Sequence, residues 1–268
     1  GTTSMLADYH IHTPLCKHAA GPAEAYPRAA RRLGIPEICL TDHAPAPDGY
    51  DPRNRMEIDQ YPDYVALVSK LRRLEKPEVL FGIEADYYRG GADWLREWLA
   101  GQHFDLVLGS IHYISDWGFD NPETRKVWDG VDVEQTWRGY FLLLTELADS
   151  RLFDVVGHLD LTKKFGHRPE EPALVEMAGP ALDRVAEAGM AIEINTSGLR
   201  KPVGEIYPSP LLLRMARERG IPVCFGSDAH RPEHVGADFD RALELARDCG
   251  YAETVRFRQR QPHAVPLP

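Results

Sequence analysis

Short apolar runs recur along the chain, and most of them end on a histidine or a carboxylate. Met5-Leu6-Ala7 leads into Asp8-Tyr9-His10-Ile11-His12, and Ile38-Cys39-Leu40-Thr41-Asp42 leads into His43. Val79-Leu80-Phe81-Gly82-Ile83 ends at Glu84, Leu106-Val107-Leu108-Gly109-Ser110-Ile111 at His112, and Val155-Val156-Gly157 at His158. Val223-Cys224-Phe225-Gly226-Ser227 ends at Asp228, with His230 just beyond. Runs of this length without alternation read as strands buried on both faces. They predict strands near 5–9, 36–41, 78–83, 105–110, 153–157, 190–195 and 221–226. Apolar stripes at helical spacing, such as Leu182, Val185 and Ala186 or Leu211, Leu212, Met215 and Ala216, mark the segments between them. Helices are predicted near 22–33, 60–75, 93–99, 132–149, 171–188, 209–219 and 237–249, with Gly34, Gly189 and Gly220 placed as helix stops. Strand–helix units without a long linker predict one right-handed, mostly parallel α/β barrel over residues 5–268. The metal-type side chains then collect at the C-terminal ends of the strands, where such barrels carry their chemistry. Gly1-Thr2-Thr3-Ser4 ahead of Met5 reads as a tag remnant.

Composition narrows the picture. A chain of 268 residues can bury a core without disulfide staples. Its four cysteines are scattered: Cys39 and Cys224 fall inside predicted strands as small hydrophobes, and Cys16, between His12 and His18, could touch the site. Reduced thiols, no signal-peptide pattern and no apolar segment of roughly 20 residues predict a cytoplasmic protein with no membrane partner. A net charge of −10 disfavours a nucleic-acid surface. It leaves room for an anionic small substrate, because metals and a few cations can reverse the potential of one pocket. The long connections 44–59 and 113–131, rich in Pro, Gly, Asp and aromatics, leave strand ends and should rim that pocket.

The donor set points to metal. One H-x-H pair is weak evidence, but His10, His12, His18, His43, His112, His158 and His230, nearly all just after an apolar run, exceed what core histidines explain. Imidazole mixed with carboxylate suits Zn, Fe or Mn, whereas an oxygen-only cage would suit Mg or Ca. The lack of paired cysteines argues against a structural tetrathiolate zinc site.

The motifs D-x-H-x-H, T-D-H, G-I-E, G-S-I-H, G-H-L-D and G-S-D-A-H, in that order from Asp8 to the His234 region, resemble the PHP (polymerase and histidinol phosphatase) family of metal-dependent phosphoesterases. The resemblance implies a distorted (β/α)7 barrel and three divalent metal ions: Zn, Fe, Mn or a mixture. His10, His12, Glu84 and Asp228 would hold the first metal, and Glu84, His112 and His158 the second, with Glu84 as the bridge. His18, His43 and His230 would hold the third. Asp8 and Asp42 each precede a histidine and read as supporting groups that orient imidazoles. His167 and His234 lie near the predicted rim, and His103 and His263 read as solvated.

The same resemblance implies phosphoryl transfer to water, with a metal-bridging hydroxide as nucleophile and Glu84, Asp228 and Arg200 in the catalytic machinery. Phosphate also needs fixed cations. Arg200 leads the candidates, because Glu193 to Pro202 runs off the sixth strand into the mouth; Lys164, Arg55, Lys163 and Arg53 follow, with Lys17 and Lys201 behind. The stretches Asp51–Met56, Gly157–Gly166 and Asn195–Ser209, with the insertion around Trp117 and Trp128, look most like the histidinol-phosphate phosphatase branch. That implies hydrolysis of L-histidinol phosphate, a small phosphate ester, in histidine biosynthesis. Its cationic amine and imidazole call for acids beyond the metals, with Asp86, Asp160 and Glu205 as candidates. The competing readings are a family phosphoesterase acting on nucleotides or oligonucleotides, and a non-catalytic metal-binding scaffold. The residues leave the general acid and the oligomeric state open.

Overall fold

A computed structural model describes residues 6–268, so the tag remnant expected at 1–4 and the strand start expected at Met5 lie outside the described residues. Seven parallel strands hydrogen-bond in chain order: β1 (Asp8–Ile11), β2 (Glu37–Leu40), β3 (Glu78–Asp86), β4 (Leu106–Ser110), β5 (Val155–Val156), β6 (Ala191–Asn195) and β7 (Val223–Gly226). The circle closes just past β7, where His12 N–H donates to Ala229 O at 3.0 Å and Ala229 N–H to His10 O at 3.2 Å. Helices α1 (Ala25–Arg32), α2 (Tyr61–Leu71), α3 (Ala92–Ala100), α4 (Val133–Asp149), α5 (Glu171–Glu187), α6 (Pro210–Glu218) and α7 (Phe239–Asp248) alternate with the strands. This is the seven-stranded α/β barrel that the alternation predicts.

Apart from Glu78, every residue of the barrel strands is buried. Both faces are covered, which is why the strands read as continuous apolar runs. The helices turn one face inward; α4, for example, buries Trp137, Tyr140, Phe141, Leu144 and Leu147. Asp132 caps α4 by accepting from Gln135 N–H at 3.0 Å, and Ser209 caps α6 ahead of Pro210. Gly34, Gly189 and Gly220 take φ of 72°, 69° and 70°, the left-handed turn that ends a helix.

The lower interior is filled by Ala7, Tyr9, Cys39, Leu80, Leu108 and Cys224, together with Val255 and Phe257. The last two come from an antiparallel hairpin, β8 (Glu253–Arg258) and β9 (Gln261–Pro266), where the sequence predicts no element. It plugs the N-terminal end of the barrel. Arg258 pairs with Glu37 and with Glu78 at 2.8 Å, Gln259 N–H donates to Asp105 at 3.1 Å, and Arg260 pairs with Asp154 at 3.0 Å. All four carboxylates stand at or just before a strand start. The opposite, C-terminal end is left open for chemistry.

One irregularity aims that chemistry. The register between β1 and β2 shifts between Asp8 and Ile11. Tyr9 packs in the lower interior and Ile11 in the outer core, yet His10, between them, stands with His12 among the inward donors. The bulge lets adjacent residues Tyr9 and His10 both face inward, whereas a regular strand would turn one of them out.

Candidate metal centre

Glu84 lies inward on β3 and is 1% exposed, and its two oxygens divide the surrounding donors. Oε1 lies 2.9 Å from His10 Nε2, 3.4 Å from His12 Nε2 and 3.6 Å from His43 Nδ1. Oε2 lies 3.6 Å from His112 Nε2 and 3.4 Å from His158 Nε2. Asp228, from the segment after β7, places Oδ1 2.9 Å from His12 Nε2 and 3.2 Å from His10 Nε2. Its φ of 54° is left-handed, a conformation aspartate accepts more readily than most residues.

Three sets of ligand-capable atoms fall within 4.8 Å of one another around this carboxylate: His10, His12, Glu84 and Asp228; Glu84, His112 and His158; and His12, His43 and His230. A fourth joins Cys16, His18 and His230. The third set implied by the motifs therefore divides about His230, with His43 leaning toward His12 and His18 toward Cys16. The residues fit metal ions by their own chemistry, since neutral imidazole with carboxylate is a transition-metal donor set. His43 Nδ1 and His230 Nε2 are also buried without a hydrogen-bond partner.

Supporting groups fix which ring nitrogen faces the centre. Glu193 on β6 holds His10 Nδ1 at 2.5 Å, Asp42 holds His12 Nδ1 at 3.2 Å and Asp86 holds His112 Nδ1 at 2.9 Å. With Nδ1–H donating outward, Nε2 keeps its lone pair for a metal. Glu193 also accepts from His158 N–H at 2.9 Å and Asn195 Nδ2 at 2.8 Å. Gly226 makes room for this contact: a Cβ there would stand 2.3 Å from Glu193 Oε2 and 2.6 Å from His10 Cβ. Asp8 orients no imidazole ring. It accepts from His10 N–H, Ser227 N–H, Ser227 Oγ and Gly236 N–H, and so ties β1 to the segment carrying Asp228.

The charges are strongly coupled. Burial would raise the Glu84 and Asp228 carboxyls, but the neighbouring histidines hold both well below the usual carboxylate range. Burial would lower His10 and His12, but the surrounding carboxylates push both well above the ordinary imidazole value. His112, opposed by burial but paired with Asp86, is pushed up to about 10. His43 and His230 are depressed by burial.

Above the donors opens a cavity of about 480 Å³. Asp51, Asn54, Tyr113, Asp120 and Asn121 bring the 44–59 and 113–131 connections into its wall. Of the expected phosphate cations, Arg200 and Lys164 line it, with Lys201. Arg200 Nη2 donates to Ser227 O at 2.8 Å, while Nη1 has no partner. Lys164 Nζ donates to Asp120 O at 2.6 Å. Arg55, Lys163 and Arg53 lie elsewhere. Arg55 is 2% exposed beside the centre, held by Asp51, Asp86 and Ala44 O. Lys163 is buried against Asp160 at 3.0 Å and Ile206 O at 2.8 Å. Arg53 projects to the surface, 3.9 Å from Glu123.

The acids expected for the cationic end of a substrate are also placed differently. Asp86 supports His112, Asp160 accepts from Ser209 N–H and Lys163, and Glu205 pairs with Arg168. Asp51 and Asp120 are wall carboxylates outside the donor sets. His234 joins the wall, whereas His167 stacks on Trp128 at 4.9 Å. The motifs do not single out Glu193 and Asn195, nor Arg231, which joins the cavity wall. A lone glutamate inside the apolar run Ala191-Ile192-Glu193-Ile194 is itself a signal, because a buried charge demands a partner.

A parallel barrel with this donor set at its C-terminal mouth defines a barrel metalloenzyme. Residues 8–197 match the PHP domain and residues 211–237 the PHP-associated segment. The chain is 44% identical over 258 residues to a "Probable histidinol-phosphatase" of Deinococcus radiodurans, spanning 96% of this chain and 98% of that one. It is 28% identical to the histidinol-phosphatase of Bacillus subtilis, over 88% of this chain and 98% of that one. Its fold matches the crystal structure of histidinol phosphate phosphatase from Lactococcus lactis, complexed with Zn, L-histidinol and phosphate. The TM-score is 0.84 at 21% identity, over 96% of this chain and 98% of that one. The chain belongs to the PHP family.

Proposed function

We propose that this protein is a metal-dependent phosphomonoesterase that hydrolyses L-histidinol phosphate to L-histidinol and phosphate. The observation that carries the reading is Glu84, whose two oxygens face two separate histidine sets, as a carboxylate bridging two metals must. Relatives named histidinol-phosphatase, matched over nearly the whole chain, supply the substrate.

We assign His10, His12, Glu84 and Asp228 to a first divalent metal, Glu84, His112 and His158 to a second, and His18, His43 and His230 to a third. Zn, Fe or Mn suits these donors. When bound, the metals supply a nucleophile at neutral pH and neutralise charge on the phosphoryl oxygens. The chain's own residues do the rest. Glu193, Asp42 and Asp86 hold the ligand rings in register. Arg200, Lys164 and Lys201 receive the phosphate: all three line the cavity, and their like charges stand close enough for an anion to relieve the repulsion. Asp120, on the same wall, faces the amine and imidazole.

Phosphate release from L-histidinol phosphate by metal-loaded protein tests the assignment. The expected result is turnover that disappears in Glu84→Ala; unchanged turnover in that variant contradicts the bridging role.

A further inference from the structure

Arg55, on sequence grounds a phosphate ligand, is enclosed in a polar circuit beside the centre. Its Nε donates to Asp51 O at 3.1 Å and Nη1 to Ala44 O at 2.8 Å; Nη2 donates to Asp51 Oδ2 at 3.0 Å and to Asp86 Oδ2 at 3.1 Å. Each of these acceptors leads to the site. Ala44 follows His43, and its N–H donates to Glu84 O at 2.8 Å. Asp86 holds the His112 ring through its other oxygen at 2.9 Å. Asp51 accepts the Tyr113 hydroxyl at 2.9 Å through Oδ1. His112 and Tyr113 are consecutive residues, so the guanidinium spans the two carboxylates that anchor one ligand and its rim neighbour. The Tyr50 ring, with Arg55 Cζ 5.0 Å from its centroid, covers the group, and the Tyr50 hydroxyl donates to Asp86 at 2.7 Å.

We infer that Arg55 is a positioning residue: it sets His112 through Asp86 so that the Glu84–His112–His158 set holds its metal, and it ties that set to the rim through Asp51. This rests on the metal assignment proposed above. Only a planar, multiply donating head satisfies the circuit. Nη2 alone bridges the Asp51 and Asp86 carboxylates, while Nε and Nη1 anchor it to Asp51 O and Ala44 O; a lysine ammonium would keep the charge but lose that anchoring fork. Without the fork, Asp86 Oδ2 keeps only the Tyr50 hydroxyl, and its hold on the ring whose Nε2 must face Glu84 loosens.

The test compares wild type, Arg55→Lys and Asp86→Asn, each shown folded by circular dichroism well below its melting temperature. Zinc bound per chain is measured by mass spectrometry, zinc affinity by chelator competition, and inorganic phosphate inhibition at saturating zinc. The expected result is one zinc of the set bound about tenfold to a hundredfold more weakly in both variants. The other zinc ions stay in place, phosphate inhibition stays within twofold, and kcat lost at limiting zinc returns at saturating zinc with KM unchanged. Wild-type zinc affinity in either folded variant overturns the inference. So does a Arg55→Lys protein with full zinc but tenfold weaker phosphate inhibition, which would make Arg55 a phosphate ligand. A wild type that binds no zinc and releases no phosphate would overturn the functional reading itself.

Discussion

Replacing Glu193 by glutamine keeps its volume and removes its charge, and the structure specifies the cost. The carboxylate accepts three hydrogen bonds, from His10 Nδ1, His158 N–H and Asn195 Nδ2. An amide offers one oxygen and one nitrogen. With the nitrogen at the Oε1 position, two donors face a donor. With it at Oε2, the nitrogen meets His10 Nδ1–H, and the ring must give up the bond or move its proton to Nε2, the atom 2.9 Å from Glu84. The second arrangement reverses fewer contacts, so it is the one expected. Losing a charge-assisted hydrogen bond costs about 1.5–3 kcal/mol. That agrees with the roughly tenfold to hundredfold loss of metal affinity typical of removing a ligand's supporting group. Chelator competition with zinc at pH 7.5 should show this loss at the set containing His10, together with a lower melting temperature. Zinc affinity within twofold of wild type would refute the reasoning.

Arg200→Gln should leave bound metal unchanged and raise KM for L-histidinol phosphate about tenfold to a hundredfold, the worth of a charge-assisted contact; an unchanged KM in steady-state kinetics counts against a phosphate role. Tyr9→Phe removes a buried hydroxyl that donates to Glu37 at 2.9 Å and accepts Phe257 N–H at 3.1 Å. The variant should lose about 1–3 kcal/mol of stability in chemical denaturation while kcat/KM holds, because the hairpin plug lies at the far end of the barrel. Metal affinity should rise with pH. His112 is pushed up to about 10 by Asp86 against the opposing effect of burial, so at neutral pH a metal must displace its proton. Zinc affinity measured from pH 6 to 8 should therefore climb about tenfold per unit for each histidine displaced, and a flat profile would be the contrary result. The sign for the metal-free fold is opposite: a raised histidine stabilises it fully below the unfolded value of about 6.5, and that contribution is lost as pH rises through about 10.

Strand burial on both faces made the barrel legible. Ile38–Leu40 and Val223–Phe225 could not be half-solvated strands, and the donors closing such runs had to share one rim. The bulge in β1 was not legible, because a register shift leaves no mark on the alternation of so short a strand. Nor was the hairpin. Its two-residue turn, Gln259-Arg260, takes φ of 49° and 64° without the Asn-Gly or Asp-Gly pair that usually announces such a turn. The carboxylates of Asp105 and Asp154 hold it instead. The cations show a different limit. Arg55, Lys163 and Arg200 all sit near the donor motifs, and sequence alone does not reveal that the first two meet buried carboxylates while Arg200 lines the cavity. Asp86 was recognisable as a site acid, since it lies two residues beyond Glu84 on the same face of β3; its partner is His112, which we assign to the second metal.

The most direct measurement is side-by-side turnover of L-histidinol phosphate and 3′-phosphorylated nucleotides by the metal-loaded protein. A cavity of about 480 Å³ in a chain of net charge −10, with acids beside its phosphate cations, predicts a higher kcat/KM for histidinol phosphate. A higher kcat/KM for the nucleotides would contradict the account.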